Sequence, residues 1–120
     1  MPRAGQASAP QEREVQHAIR VALGRVADLT LWRNNTGALK DSSGRVVRYG
    51  LAVGSADLIG ILAPAGRLVA LEVKTTSGRT TPEQNLFLDL VRRRGGFAAV
   101  VRSAEDALAA LDRARAGAVE

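Results

Sequence analysis

Two apolar runs, ADLIGILA (56–63) and LVALEVK (68–74), are separated by only the four residues PAGR. Proline and glycine in so short a gap mark a turn, and two strand-length runs joined by a tight turn pair antiparallel. This hairpin constrains the fold more than any other feature, because it fixes which side chains face one another. Side chains alternate between the faces of a strand, so Glu72 and Lys74 project from one face and Val73 from the other. With the turn centred on Pro64 to Gly66, Asp57 falls across from positions 72 to 74. Two carboxylates and an ammonium are therefore gathered at one end of a sheet.

The rest of the chain supplies layers for that sheet. In QEREVQHAIRVALGRVA (11–27), Val15, Ile19, Leu23 and Val26 recur at helical spacing. At about 100° per residue, Glu12 falls in line with Val15, Ile19 and Leu23, whereas Glu14 points nearly the opposite way. LTLWRNN (29–35) reads as a first strand, with Trp32 expected in the core. The glycine-rich stretch 36–55 reads as a connection. After the hairpin, PEQNLFLDLVRRRGG (82–96) reads as a helix with Leu86, Leu90, Phe87 and Val91 inward, stopped by Gly95 and Gly96. Thr81-Pro82-Glu83-Gln84 fits a capping box at its start. FAAVVRS (97–103) is uniformly apolar, as a strand buried on both faces would be. A closing helix follows, capped by Ser103 with Glu105 and Asp106 in its first turn. The order is α-β-β-β-α-β-α, and the helical crossover makes the last strand parallel to the third. The expected class is α/β, a mixed β-sheet flanked by helices, with residues 1–10 as a flexible tail and 11–116 as a single domain.

Composition narrows the chemistry. The chain has no cysteine, which removes disulfides, zinc–thiolate sites and thiol nucleophiles and fits a reducing cytoplasm. No apolar run is long enough to span a membrane, and the N-terminus lacks the apolar segment of a signal peptide. The net charge of +5 comes almost entirely from arginine, whose forked donors suit phosphate. Lys40 and Lys74 are the only lysines, so a lysine beside two carboxylates is a specific choice rather than one more positive charge.

Two carboxylates that close repel unless a cation lies between them. An all-oxygen site with few protein ligands suits Mg²⁺ or Mn²⁺, with water and a substrate phosphate completing the shell. The expected ligands are Asp57, Glu72 and the backbone carbonyl of Val73, with Glu12 added directly or through water and Glu14 as its fallback. Such an ion, with Lys74 as a point charge, matches phosphodiester hydrolysis, which needs roughly 20 kcal/mol of barrier lowering. Arg33, Arg45, Arg48 and Arg79, on loops and strand ends, are the expected contacts to a DNA backbone. Asn34 and Asn35 read as a turn, Arg92 to Arg94 suit a helix C-terminus, and His17 reads as solvated.

Taken in order, QEREVQ, WRNNTGA, GSADLIGI, GRLVALEVKT, TPEQNLFLDLVRRRGG and AAVVRSAEDAL resemble the VRR-NUC (virus-type replication-repair nuclease) branch of the PD-(D/E)xK nucleases, over residues 11–108. The resemblance implies a restriction-endonuclease-like core and a divalent-metal-dependent endonuclease. It casts Asp57 and Glu72 as metal ligands, Lys74 as the catalytic lysine, Glu12 as the helix acid and Gln84 as a helix glutamine of the site. It further implies a phage or bacterial protein that acts on branched DNA, such as Holliday junctions, as a homodimer. The apolar residues of the first strand and the closing helix are then candidates for the dimer surface. One departure is Ala56, where the family commonly has proline. The rival readings are a nuclease subunit directed by a targeting partner, a non-catalytic nucleic-acid-binding module on the same fold, and a sheet protein with an incidental ion pair.

Overall fold

Two nearly continuous apolar strand runs within 58–73, with helical patterning on either side of them, produce the architecture of the computed structural model, which describes residues 11–120. The expected tail, residues 1–10, lies outside the described residues. The elements are α1 (Glu12–Leu23), β1 (Leu29–Arg33), β2 (Gly37–Lys40), β3 (Val46–Tyr49), β4 (Leu58–Leu62), β5 (Arg67–Val73), α2 (Pro82–Arg93), β6 (Phe97–Val101) and α3 (Ala104–Arg115). The main sheet has the order β1-β4-β5-β6. Both of its first two pairings are antiparallel, and β6 runs parallel to β5. This is the expected mixed sheet flanked by helices, with β5 internal.

Alternation along β5 divides the core in two. Val69, Leu71 and Val73 face α1 and α3, where Ile19, Leu23, Leu58, Phe97, Val101 and Leu111 close the larger cluster. Ala70 faces the other way, toward Leu88 and Val91 of α2. Glu72 and Lys74 keep the same parity as Ala70 and belong to the α2 side. Glu72 is nevertheless only 1% exposed and Lys74 8%.

Three expectations are corrected. The stretch read as a connection contains a second, two-stranded sheet, β2–β3, whose short strands carry no burial pattern. Trp32, expected in the core, is 52% exposed. It sits on the edge strand opposite Ile59, on the face toward α2, and α2 covers β5 and β6 but not β1. In α2, Leu88 and Val91 are buried whereas Leu86 and Leu90 are exposed. The reason is positional: Gln84, Leu88 and Val91 share one helical face, and Gln84 is turned toward Glu72.

Candidate metal centre

The hairpin delivers the first two acids. Leu58 pairs with Leu71, and one residue beyond the ladder Asp57 reaches across to accept a hydrogen bond from the Val73 N–H at 2.8 Å. That bond fixes the Asp57 carboxylate beside Glu72. The approach to Asp57 is held in turn by Asn34. Its side-chain amide donates to Ser55 Oγ at 2.7 Å and to the Ala56 carbonyl at 2.9 Å, while its backbone N–H donates to the Asp57 carbonyl at 2.8 Å. Asn34, read from sequence as a turn residue, is thus the clamp between the end of β1 and the segment that presents Asp57. Ala56 is fully buried in the α2-side cluster.

The third acid comes from the start of α1. Burial of Val15, Ile19 and Leu23 sets the roll of this helix, and that roll carries Glu12 toward the sheet end. Oxygens of Glu12, Asp57 and Glu72 lie within 4.8 Å of one another. Glu14 is exposed and stands outside this group.

Glu72 is the centre of the arrangement. Its Oε1 accepts from Gln84 Nε2 at 3.1 Å and lies 3.8 Å from Lys74 Nζ. Its Oε2 is buried with no hydrogen-bond partner among the described residues. Burial above all, then the adjacent Asp57 carboxylate and more weakly Glu12, push the Glu72 carboxyl up to about 9, with Lys74 pulling the other way. A buried carboxylate oxygen without a donor costs roughly 1–3 kcal/mol, so the site is costly as a set of bare anions. Three convergent carboxylates, one of them carrying an orphaned oxygen, form a hard donor set that fits Mg²⁺ or Mn²⁺.

Gln84 performs two tasks at once. Thr81 Oγ1 accepts from the Gln84 backbone N–H at 3.2 Å, and Gln84 Oε1 accepts from the Thr81 N–H at 2.8 Å. The capping box thereby leaves the Gln84 amide nitrogen aimed at Glu72. The loop after Lys74 is braced by Arg102, whose Nη1 donates to the Thr75 and Gly78 carbonyls at 2.6 and 2.7 Å. Sequence reading gave Arg102 no role; no local pattern links it to a loop more than twenty residues upstream.

The expected DNA-contacting arginines are not drawn into the acidic cluster. Arg33 ends β1 opposite Leu58, close to Asp57 along the chain ladder. Arg79 is exposed on the braced loop. Arg48 lies on β3, and Arg45 lies at the β2–β3 turn, where its backbone N–H is held by Asp41. His17 is exposed, as expected.

The model of the family described as the VRR-NUC domain matches residues 39–105. The matched span contains Asp57, Glu72, Lys74 and Gln84, and Glu12 precedes it. No curated protein matches the chain.

Proposed function

The chain belongs to the VRR-NUC domain family, and from that premise we propose that it is a divalent-metal-dependent endonuclease hydrolysing DNA phosphodiesters. Nuclease-type chemistry is the business of the family; the metal, the substrate form and the roles of residues are our reading. The observation that carries it is the meeting of the Glu12, Asp57 and Glu72 carboxylates, with Glu72 Oε2 buried and unpartnered among the described residues.

In this reading Asp57, Glu72 and Glu12, with the Val73 backbone carbonyl, would hold Mg²⁺ or Mn²⁺. Bound there, such an ion would supply charge neutralisation and Lewis-acid polarisation of the substrate phosphate. The Val73 N–H keeps Asp57 turned inward, and Gln84 fixes the rotamer of Glu72. Lys74, confined beside Glu72 in a mostly buried pocket, orients the attacking water and stabilises the negative charge that grows on the phosphoryl oxygens. Water oxygen bonds to phosphorus as the bond to the 3′-oxygen breaks, leaving a 5′-phosphate and a 3′-hydroxyl. Arg33, Arg45, Arg48 and Arg79 contact the DNA backbone. Residues 11–116 act as one catalytic domain, and two copies related by a two-fold axis supply the two active sites that a symmetric branched substrate requires. No described helix is long and apolar enough to cross a membrane, and nucleic acid is the partner chosen.

The test is cleavage by the purified chain of labelled four-way junction, flap, linear duplex and single strand, with Mg²⁺, with Mn²⁺ and with chelator. Cutting of the branched substrates that is abolished by chelator and by Asp57→Asn supports the reading. Cutting that survives either treatment overturns it.

A further inference from the structure

Trp32 is the only tryptophan of the chain, and it is 52% exposed. One exposed apolar side chain is ordinary, so exposure alone assigns nothing. Its place in the sheet does. Trp32 pairs with Ile59, and Ile59 with Ala70, so these three form one row across the α2 face. The Asn34 N–H, bonded to the Asp57 carbonyl at 2.8 Å, extends the β1–β4 register by one pair. With Leu58 opposite Leu71, the next row on the same face, two residues along each strand, is Asn34, Asp57 and Glu72. Trp32 is therefore the diagonal neighbour of Asp57. Such neighbours lie about 7–8 Å apart, within reach of an aromatic side chain.

The tryptophan is left open and held in place at once. Neither α2 nor the two-stranded β2–β3 arm packs on β1 to any substantial extent. The Asn34 amide ties the end of β1 to Ser55 and Ala56, so a single clamp sets both Asp57 and the strand that carries Trp32. Arg33, next in the chain, is exposed as well. An aromatic ring thus stands at a fixed distance from the acids that would face a scissile phosphate, with a cation at the adjacent position.

We propose that Trp32 is a stacking platform for an unpaired nucleobase next to the scissile phosphate, and so a residue that selects DNA whose base stack is interrupted there. The proposal rests on the nuclease reading given above and adds a specificity residue to it. A base and its own phosphate are one sugar apart, a span of the same order as that from Trp32 to Asp57. Bases stack on aromatic side chains whatever their identity, because every base has a π-face. Inside a continuous duplex both faces of each base are taken by its neighbours. A face is free only at a strand end, a nick, a gap or a branch, or after the base is turned out of the stack at a cost. Trp32 therefore favours interrupted DNA without reading its sequence.

Emission of the single tryptophan reports this contact directly. The full chain with Asp57→Asn, which binds without cutting in the nuclease reading, is titrated with a duplex bearing a single-stranded flap, with the same DNA made abasic at the unpaired nucleotides that adjoin the branch, and with a relaxed closed circle of duplex. Binding is followed separately by anisotropy of a label on the DNA. The flap DNA is expected to quench the emission, and the abasic DNA and the closed circle are not. Trp32→Leu is expected to raise the Kd for flap DNA about tenfold and to leave that for the closed circle unchanged, while Trp32→Phe, which keeps a ring, recovers most of the loss. The abasic comparison needs no change at Trp32, so it decides the matter even where Trp32→Leu is unstable. Equal quenching by all DNAs, or flap binding with neither quenching nor a loss in Trp32→Leu, overturns the stacking role, while cutting by the wild-type chain leaves the nuclease reading standing. Emission that changes on dilution of the protein and not with DNA also overturns it, and assigns Trp32 to a contact between copies. A chain that neither binds nor cuts any of these DNAs overturns both readings.

Discussion

Replacing Glu72 by Gln separates the cost of the acidic cluster from its use. The substitution keeps the shape of the side chain and an acceptor for Gln84, and removes the charge whose Oε2 has no partner. In the metal-free protein the Glu72 carboxyl is pushed up to about 9 from an ordinary 4.5. The folded state therefore holds a proton that the unfolded state releases between those values. Since stability falls with pH wherever the folded state binds more protons, the stabilising contribution is full below pH 4.5 and declines as pH rises toward 9. One proton corresponds to about 1.4 kcal/mol per pH unit, so between pH 6 and 8 the wild type should lose about 3 kcal/mol relative to Glu72→Gln. For a domain of this size that is on the order of 10 °C in Tm. The assay is thermal or urea unfolding of both proteins at pH 6, 7 and 8, with chelator and with saturating Mn²⁺. With chelator the two stability profiles should diverge as pH rises, the variant becoming the more stable. With Mn²⁺ the wild type should recover its stability and the variant should gain little, since a ligand at 100 times its Kd adds about 2.7 kcal/mol. Parallel profiles in chelator, or equal Mn²⁺ effects on both proteins, would refute the reasoning.

Other outcomes follow from the same geometry. Lys74→Met should leave the fold intact by circular dichroism and lower the cleavage rate by about 10²–10³-fold, the usual effect of removing one group that stabilises transition-state charge. Asn34→Ala removes both side-chain bonds to the segment before Asp57; it should cost about 1–3 kcal/mol in urea unfolding and weaken Mn²⁺ binding, although Asn34 is not a ligand. Thr81→Ala should cost about 1 kcal/mol through loss of the helix cap, and it should lower cleavage more than Thr81→Ser, because the cap also aims Gln84 at Glu72.

The parts of the site that could be read from sequence are those set by short-range periodicity. Alternation in LVALEVK places Glu72 and Lys74 together, the short turn brings Asp57 across, and the angular arithmetic of α1 selects Glu12 over Glu14. Each depends on neighbours within one element or one hairpin. What escaped depends on layers. Trp32, Leu86 and Leu90 are apolar, and apolar residues were expected inside; whether they are covered depends on which strands α2 lies over, and no local pattern states that. The β2–β3 arm escaped for a related reason. Its strands are four residues each and exposed on both faces, so no alternation between buried and solvated positions announces them. Asn34 and Arg102 act on backbone carbonyls far along the chain, and such contacts leave no mark in residue spacing. The capping box at Thr81 was legible as a helix start; its second use, aiming Gln84, required knowing where Glu72 lies.

Crystals grown with Mn²⁺ and measured for anomalous scattering test the central claim most directly. The account predicts a strong anomalous peak bounded by Glu12, Asp57 and Glu72, with carboxylate oxygens at about 2.0–2.2 Å, and no such peak for Asp57→Asn. Saturating Mn²⁺ with no density among these three side chains, or an ion bound elsewhere with Glu72 still protonated and unliganded, would contradict it.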